Sequence, residues 1–275
     1  MEENSGLVVS TDFSGEFSSP IKRILDRVRL GPAHLKGKTK VIIKPNLVEA
    51  VPPPITTPAA LCAVLIDELR LRLPGIDIAI GEGVGSLDYE TDHAFRELGY
   101  AEMAKEKGVE LIDLNHAELT QMSLPQCKRW PTFYLPKIVM ESFIVSVPVL
   151  KAHSLAGVTL TMKNMMGTVP PLHFQAGGHW KKSAFHEMMH ESVLDMCRYR
   201  TPDLTVLDAT VGMSQAHLWG PTCEPPVNKL ACSFDPVAID AYGATLLGRD
   251  WKEIKHIKEA DGELGSAQGL RLVEL

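Results

Sequence analysis

The chain has 275 residues, of which 45% are hydrophobic and 23% are charged, a composition typical of an ordinary folded protein. This composition excludes collagen, a coiled coil and a disordered chain. The 28 lysines and arginines are outnumbered by 34 aspartates and glutamates, which gives a net charge of −6. No overall basic field is available for nucleic acid or an anionic membrane, and we expect neither as a partner. The length suits one α/β domain, which we predict over residues 1–275.

The cysteine pattern indicates the cellular compartment. The five cysteines form no CxxC pair; they are Cys62, Cys127, Cys197, Cys223 and Cys232. Residues 1–10 lack the basic and apolar regions of a secretory signal, and no apolar run reaches the ~18 residues of a membrane span. We therefore expect a cytoplasmic protein without an iron–sulfur cluster and without a zinc site built from neighbouring thiolates.

Short runs rich in valine, isoleucine and leucine alternate with longer amphipathic stretches, a pattern that predicts βα units. In chain order the predicted strands are Leu7–Ser10, Lys40–Lys44, Asp77–Ile80, Glu110–Asp113, Phe143–Val147, Leu204–Leu207 and Leu230–Ser233. The predicted helices are Pro20–Leu30, Thr57–Arg72, Asp92–Lys107, Phe185–Arg198 and Asp235–Leu246. Thr57 and Asp235 each precede a proline and are the expected N-caps of their helices. The predicted fold class is therefore α/β, a mostly parallel sheet with helices on both faces.

Two stretches do not fit this alternation. Residues 115–136 are polar and contain three prolines, so we predict an irregular or small β excursion there, which could be a subdomain insertion. Residues 167–182 contain two prolines and three glycines beside His173, His179 and Trp180. Irregular segments of this length are usually functional or disordered, and we predict a functional loop.

Ligands of parallel sheets bind beyond the carboxyl ends of the strands, so the polar residues at these positions are the candidate site. Lysines there suit a pocket for carboxylate or phosphate, because a lysine ammonium is a point charge with three donors. We predict a substrate-binding set of Lys44, Asn46, Glu82, Lys163, Asn164 and Asp235, and a catalytic set of Lys151, His153 and Asp208.

These assignments have structural alternatives. Each lysine could be solvated, or paired with Asp208 or Glu82. His153 could satisfy a local hydrogen bond, and Asp235 could cap the helix that it precedes. A partly desolvated lysine near other cations would have a lowered pKa and could act as a base or a nucleophile.

The string His186-Glu187-Met188-Met189-His190 fits the H-E-x-x-H pattern. On a helix this pattern places two histidine ligands of zinc on one face, with the glutamate as base. The upstream edge strand and the third downstream ligand of such enzymes are not evident. We therefore predict His186, His190 and Glu187 as a candidate metal site for a divalent ion, and a zinc metallopeptidase as a minor alternative function.

Five strings together resemble the domain-of-unknown-function 362 (DUF362) family, over nearly the whole chain. They are Val41–Val48, Val147–His153, Val158–Gly167, Leu207–Ala209 and Asp235–Ala241. Many members carry an appended ferredoxin-type iron–sulfur module, and this chain resembles the stand-alone form. The resemblance implies the α/β fold and the strand-end site residues, but no established reaction. At the position of Ala152 the family more often has a residue with a hydroxyl group, so this chain departs from the family pattern at that position. A distant likeness to lactate-racemase-type proteins would fit a lysine and a histidine acting on a hydroxy acid.

The leading prediction is an enzyme that acts on a small anionic metabolite, a carboxylate or a phosphate, by proton abstraction or transfer. An isomerase or a lyase fits best, because lysines stabilise a developing enolate while a nearby base removes the proton. Metal assistance is left open. The main alternative is a non-catalytic protein that binds a metal, a cofactor or a metabolite, related to the iron–sulfur-fused homologues. No oligomeric state is predicted.

Overall fold

The structure is a computed structural model, and it describes residues 5–275. Its strands are β1 Leu7–Asp12, β2 Lys40–Pro45, β3 Asp77–Glu82, β4 Glu110–Asp113, β5 Leu119–Ser123, β6 Thr132–Pro136, β7 Phe143–Val147, β8 Val149–His153, β9 Gly157–Thr159, β10 Leu204–Met213, β11 Lys229–Ser233 and β12 Arg271–Glu274. All seven predicted strands are present. The additional strands are the hairpin β5–β6, the hairpin β8–β9 and the edge strand β12.

The helices are α1 Ser18–Arg27, α2 Ala59–Arg72, α3 Thr91–Glu97, α4 Tyr100–Lys107, α5 Lys137–Glu141, α6 Thr161–Asn164, α7 Pro171–Phe174, α8 Met189–Tyr199, α9 Pro236–Leu246 and α10 Lys255–Ala260. Short 3₁₀ turns cover Pro32–Leu35, Met165–Thr168, Ser183–His186 and Trp251–Glu253. Within residues 5–275, no helix combines the length and the apolar character needed to cross a bilayer.

The main sheet is mixed and mostly parallel, with the strand order β12-β1-β11-β10-β7-β2-β3-β4. The pairs β10–β7, β7–β2, β2–β3 and β3–β4 are parallel, so the carboxyl ends of these strands meet at one edge. β11 runs antiparallel to both β10 and β1. The carboxyl end of β11 therefore lies at the opposite edge of the sheet.

Helices cover both faces of the sheet, as predicted. Val41 and Ile43 of β2 are buried in one apolar cluster, which includes residues of α1, α2 and α4. Ile42, between them, is buried in a second cluster with residues of α8, α9 and α10. Because successive side chains of a strand point to opposite faces, this alternation requires a helical layer on each side.

The stretch 115–136 confirms the predicted small β excursion. β5 and β6 form an antiparallel hairpin in a separate two-stranded sheet, with Gln121 opposite Tyr134. The buried residues Phe133 and Leu135 anchor the hairpin in the core, where the Phe133 ring lies 4.7 Å from the Phe174 ring.

Two predicted helices are interrupted. The stretch Asp92–Lys107 divides into α3 and α4, because Gly99 adopts a left-handed conformation with φ of 76°. The stretch Phe185–Arg198 begins as a 3₁₀ turn, and α8 starts only at Met189. Met188 has φ of −137° and ψ of 68°, which is not helical.

One of the two predicted helix caps is present in the structure, and the other is not. Asp235 caps α9 as predicted, since its Oδ1 accepts hydrogen bonds from the backbone N–H groups of Val237 and Ala238. Thr57 does not cap α2, which begins at Ala59 after Pro58. The Thr57 hydroxyl instead donates to the carbonyl of Val147 and accepts from the N–H of Asn46. Thr57 thus joins the ends of β2 and β7.

The β8–β9 hairpin extends the sheet beside the carboxyl end of β10. Lys151 pairs with Thr159 and His153 pairs with Gly157 in this antiparallel hairpin. Directly opposed residues, and residues two apart on one strand, project from the same face. Lys151, His153 and Thr159 therefore share one face of the hairpin.

Candidate functional site

A cavity lies at the carboxyl ends of β2 and β3. The β8–β9 hairpin, the region of α6 and the 167–182 loop form its other walls. Its lining includes four lysines: Lys44, Lys151, Lys163 and Lys182. It also includes three histidines, His153, His186 and His217, and one carboxylate, Glu82. The structure thus brings together seven residues of the predicted site: Lys44, Asn46, Glu82, Lys151, His153, Lys163 and Asn164.

The cavity is small. Its volume is about 630 Å³ with the open mouth included. The enclosed part has room for about five to seven water-sized groups. A small carboxylate or a phosphate fits this space, and a dinucleotide does not.

Lys44 and Glu82 form a buried ion pair at the base of the cavity. The Lys44 Nζ lies 2.9 Å from both carboxylate oxygens of Glu82, and it also donates to Asn164 Oδ1 and to its neighbouring carbonyl. Glu82 accepts from the backbone N–H groups of Leu47 and Gly83. Burial lowers the pKa of Lys44, and the Glu82 charge opposes this shift. Both charges are therefore satisfied within the protein.

Lys151 is buried without a carboxylate partner. Its Nζ donates to Asn46 Oδ1 and to the carbonyl of Ile55, at 2.7 Å each. Asn46 in turn donates to Asn164 Oδ1, and Asn164 donates to Ser146. Burial, followed by the charge of Lys163, lowers the pKa of Lys151 well below its ordinary value. The network holds Lys151 in place and leaves its charge uncompensated.

Lys163 differs from the other three lysines because it has no acceptor. Among residues 5–275, no side chain or carbonyl accepts a hydrogen bond from its Nζ. The residue is partly exposed and lines the cavity. Burial lowers its pKa to about 8. Lys163 is therefore available to bind a ligand.

Asp240 holds the short helix α6 that carries Lys163 and Asn164. Its two carboxylate oxygens accept from the backbone N–H groups of Thr161 and Met162, at 2.7 and 3.0 Å. Burial raises the pKa of Asp240 to about 7. A side chain of α9 thus fixes the backbone of the turn in which Lys163 lies.

The neutral ring of His153 has a defined tautomer. Its Nδ1 accepts from the N–H groups of Leu155 and Ala156, at 3.0 and 3.1 Å. Nδ1 therefore carries no proton, and Nε2 carries the proton of the neutral ring. Burial, followed by the charge of Lys163, lowers the pKa of His153. The ring stacks on His217 with a centroid distance of 4.1 Å.

His186 has the opposite tautomer. Its Nδ1 lies 3.3 Å from the carbonyl of Ser183, and this contact requires a proton on Nδ1. The Nε2 of the neutral ring is then an unprotonated acceptor. Burial and the charge of Lys163 lower the pKa of His186, and they lower that of His217 to about 3. Neutral His153 can therefore donate a hydrogen bond from Nε2, whereas neutral His186 can accept a proton at Nε2.

Both ends of the 167–182 loop reach the cavity. Lys182 donates from Nζ to the carbonyl of Gly83, and Trp180 forms a β-bridge with Ser86. Burial lowers the pKa of Lys182 to about 7, and Glu82 opposes this shift. At the other end, a Cβ on Gly167 would overlap Glu82 Oε1 and Lys44 Nζ, so only glycine fits against the ion pair. That this loop is functional stays a prediction.

Asp208 and Asp235 do not line this cavity, which corrects two predicted positions. β10 continues to Met213, so Asp208 lies inside the strand and not at its end. Its carboxylate accepts from the backbone and hydroxyl of Thr210. Asp235 follows β11, which runs antiparallel, and it lies at the opposite edge of the sheet. Its Oδ2 accepts from the N–H groups of Gly6 and Ser266, which is a structural role.

The H-E-x-x-H string does not form a metal-binding triad. The helix does not extend through Met188, so the two histidines do not share a helical face. His186 lines the cavity, Glu187 pairs with Arg129, and His190 bonds to His256 at 2.9 Å between their Nδ1 atoms. This geometry gives no support to the metallopeptidase alternative.

One group of potential metal ligands lies elsewhere within residues 5–275. One ligand atom from each of Glu90, Asp113 and His116 lies within 4.8 Å of the others. Glu90 already pairs with Lys181 and His116, at 2.6 and 3.1 Å, and both Glu90 and His116 are exposed. Asp113 Oδ1 accepts from the hydroxyl of Thr91 and from the backbone N–H of Asn115, so all three residues have partners within the protein. Binding of a divalent metal stays a prediction.

Sequence reasoning missed several lining residues, namely Thr159, Trp180, Lys182 and His217, and it assigned His186 to a different site. Trp180 and Lys182 lie in the predicted functional loop, and this prediction was the sequence feature that could have identified them as site residues. Thr159 closely follows the string that predicted Lys151 and His153, yet the short strand β9 was not recognised. Its buried Oγ1 has no hydrogen-bond partner among residues 5–275.

The fold and the cavity define an α/β protein with a lysine- and histidine-lined pocket at the carboxyl edge of its sheet. A family model described as domain of unknown function (DUF362) matches residues 41–245, and the chain belongs to this family. The comparison with curated proteins gives no match. Among solved structures, the chain is similar to the lactate racemase apoprotein from Thermoanaerobacterium thermosaccharolyticum, with 14% sequence identity and a TM-score of 0.49. That alignment covers 87% of this chain and 56% of the racemase chain, so this chain spans little more than half of that protein's length.

Proposed function

We propose that the protein is an enzyme that binds a small carboxylate or phosphate and moves a proton on it, as an isomerase or a lyase does. The observation that carries the proposal is the pair of complementary tautomers. His153 presents an Nε2 donor and His186 presents an Nε2 acceptor, and both residues line one lysine-rich cavity.

The charge of the lining supports an anionic ligand. Four lysines face one glutamate, and that glutamate is engaged by Lys44. Lys163 has no internal acceptor among the described residues, so an anion can take its hydrogen bonds without displacing a protein group. The enclosed part of the cavity, with room for about five to seven water-sized groups, limits the ligand to a few non-hydrogen atoms.

A histidine must be neutral before the reaction in order to accept a proton. The pKa values of His153 and His186 are lowered by burial, so both rings are neutral at pH 7. His186 Nε2 then accepts the proton that leaves carbon and, as an imidazolium, returns it to the product or to a leaving group, while His153 Nε2–H donates a hydrogen bond to the developing negative charge. A lysine ammonium nearby stabilises the negative charge that develops on the substrate.

Ligand binding and proton exchange test the two parts of the proposal. A panel of small carboxylates and phosphate esters is added at about 100 times the Kd, which stabilises the protein by about 2.7 kcal/mol and raises its Tm by about 5–10 °C. Each stabilising ligand is then incubated with the protein in D₂O, and NMR measures the loss of carbon-bound hydrogen. We expect exchange with the wild type and loss of exchange in His153→Gln and His186→Gln. His173→Gln, which alters a histidine stacked on Tyr134 outside the cavity lining, is the matched control.

The outcomes separate the functions. Exchange that disappears in both cavity variants and persists in the control supports the enzyme. Binding without exchange for every ligand supports the non-catalytic binding protein instead. If no anion stabilises the protein, neither the enzyme nor the non-catalytic binding protein is supported.

A further inference from the structure

We propose that Lys163 is a covalent amine, whose Nζ forms an imine with the carbonyl carbon of a small 2-oxo acid or a related carbonyl metabolite. The inference deepens the proposed function and rests on it, because it specifies the substrate class and the group that makes proton transfer on carbon feasible.

The first argument is the distribution of acceptors around the cavity lysines. Lys44 is held by Glu82, Lys151 by Asn46 and a carbonyl, and Lys182 by the carbonyl of Gly83. In the described part of the chain, Lys163 alone among these lysines has no hydrogen-bond acceptor. An amine that attacks a carbonyl must not be held by other groups and must face an open space; Lys163 lines the cavity and has no acceptor among the described residues.

The second argument is the absence of a counter-ion that would keep Lys163 protonated. The one carboxylate of the lining, Glu82, is bonded to Lys44 through both oxygens. Burial lowers the pKa of Lys163 to about 8, from an ordinary value of 10.5. At pH 8 about half of Lys163 is the free amine, compared with about one part in three hundred of an ordinary lysine.

The third argument is that the proposed proton transfer needs an electron acceptor. A neutral histidine is a weak base, and a proton beside a carboxylate is removed slowly unless the resulting carbanion is stabilised. An iminium ion at Lys163 provides this stabilisation, because its nitrogen takes up the electron pair left on the adjacent carbon. The lysine and the histidine pair then act in one reaction.

The steps balance in atoms and charge. The Nζ lone pair of the neutral amine forms a bond to the carbonyl carbon, and the C=O electron pair moves to oxygen, where His153 Nε2–H donates a hydrogen bond to the negative charge. His186 Nε2 takes one proton from the nitrogen and passes it to this oxygen, which gives a neutral carbinolamine. A second proton, taken from solvent and delivered to the hydroxyl group by His186, lets that group leave as water while the nitrogen lone pair forms the C=N bond of the iminium ion. His186 Nε2, again neutral, removes a proton from the adjacent carbon to give an enamine; return of that proton to carbon and addition of water release the carbonyl product, a proton and the free amine of Lys163.

Reductive trapping tests the inference with the wild-type protein. Pyruvate and sodium cyanoborohydride are added at pH 8, and peptide mass mapping locates the N-linked carboxyethyl group that reduction of the imine leaves. We expect labelling at Lys163 to exceed that of exposed lysines about a hundredfold, in line with its larger fraction of free amine. Lactate has no carbonyl group that can condense with an amine and should leave no label.

Two matched variants identify the nucleophile. Lys163→Arg retains the positive charge and should abolish trapping in the cavity. Lys105→Arg replaces an exposed lysine of α4 that lies outside the cavity lining, and it should leave labelling of Lys163 unchanged.

Labelling at Lys182, at Lys151 or only at surface lysines would overturn the inference, as would the absence of label. The stabilisation by non-reactive anions, measured in parallel, keeps the two proposals distinct. If lactate or sulfate stabilises the protein while pyruvate is not trapped, the covalent role fails and the proposed anion site stands. If no anion binds, the proposed function itself fails.

Discussion

The buried pair of Lys44 and Glu82 gives a quantitative prediction about stability. The ammonium lies 2.9 Å from each carboxylate oxygen, and neither side chain is more than 3% exposed. At an effective dielectric constant of 20, charges at this distance attract each other by about 6 kcal/mol. Desolvation of both charges offsets much of this attraction, but removal of one partner leaves the other charge buried and unpaired.

We therefore expect Lys44→Met and Glu82→Gln each to lower the free energy of unfolding by about 3–5 kcal/mol. This is a large part of the ~5–15 kcal/mol that stabilises an ordinary protein. The double variant leaves no unpaired charge, so it should be less destabilised than the sum of the single variants, by about 2–3 kcal/mol.

Urea unfolding, followed by circular dichroism, measures these differences from the midpoint and the slope. The control is the exposed pair of Lys22 and Asp26, where Lys22→Met should change stability by less than about 0.5 kcal/mol. If the effects of the two cavity substitutions add within about 0.5 kcal/mol, the two charges are not coupled and the reasoning is wrong.

Three further predictions concern the same site. Sulfate affinity, measured by calorimetry, should fall as the pH rises above 8, because the pKa of Lys163 is lowered to about 8 by burial. The unfolded chain binds more protons than the folded one between pH 8 and 10.5, so stability to urea should rise over this window, and Lys163→Met should flatten the rise. Gly167→Ala should cost about 1–3 kcal/mol and abolish sulfate binding, because the added Cβ overlaps the Lys44–Glu82 pair. An alanine variant with wild-type stability and affinity would contradict that close contact.

The expectation that Lys44 and Glu82 lie together at one edge of the sheet depends on local pattern. Lys44 and Glu82 directly end apolar runs, and their strands are parallel neighbours with Lys40 opposite Asp77. Polar residues at the ends of two adjacent parallel strands lie at the same edge of the sheet, and this does not depend on the other segments of the chain. The amino-acid sequence is therefore sufficient to assign these two residues to one site.

The positions of Asp208 and Asp235, which lie outside this cavity, depend on relations between distant segments. Asp235 also ends an apolar run, but the direction of β11 is set by its pairing with β1 and β10, and one antiparallel strand moves its end to the opposite edge. Asp208 was misplaced because β10 continues past it to Met213, beside the β8–β9 hairpin. The periodicity of one segment shows neither the direction in which a strand pairs nor how far the strand continues.

The arrangement of lysines also explains how a cavity with so many cations can remain folded and still respond to a ligand. Lys44, Lys151 and Lys182 each have fixed acceptors, and these bonds join strand ends and loops that are far apart in the chain. A ligand that displaced these acceptors would break bonds that hold the core together. Lys163 has no acceptor among the described residues, and its backbone is fixed by Asp240 through the start of α6. Binding at Lys163 therefore requires little rearrangement, since the one uncommitted amine of the cavity lies on a turn that is already held in place.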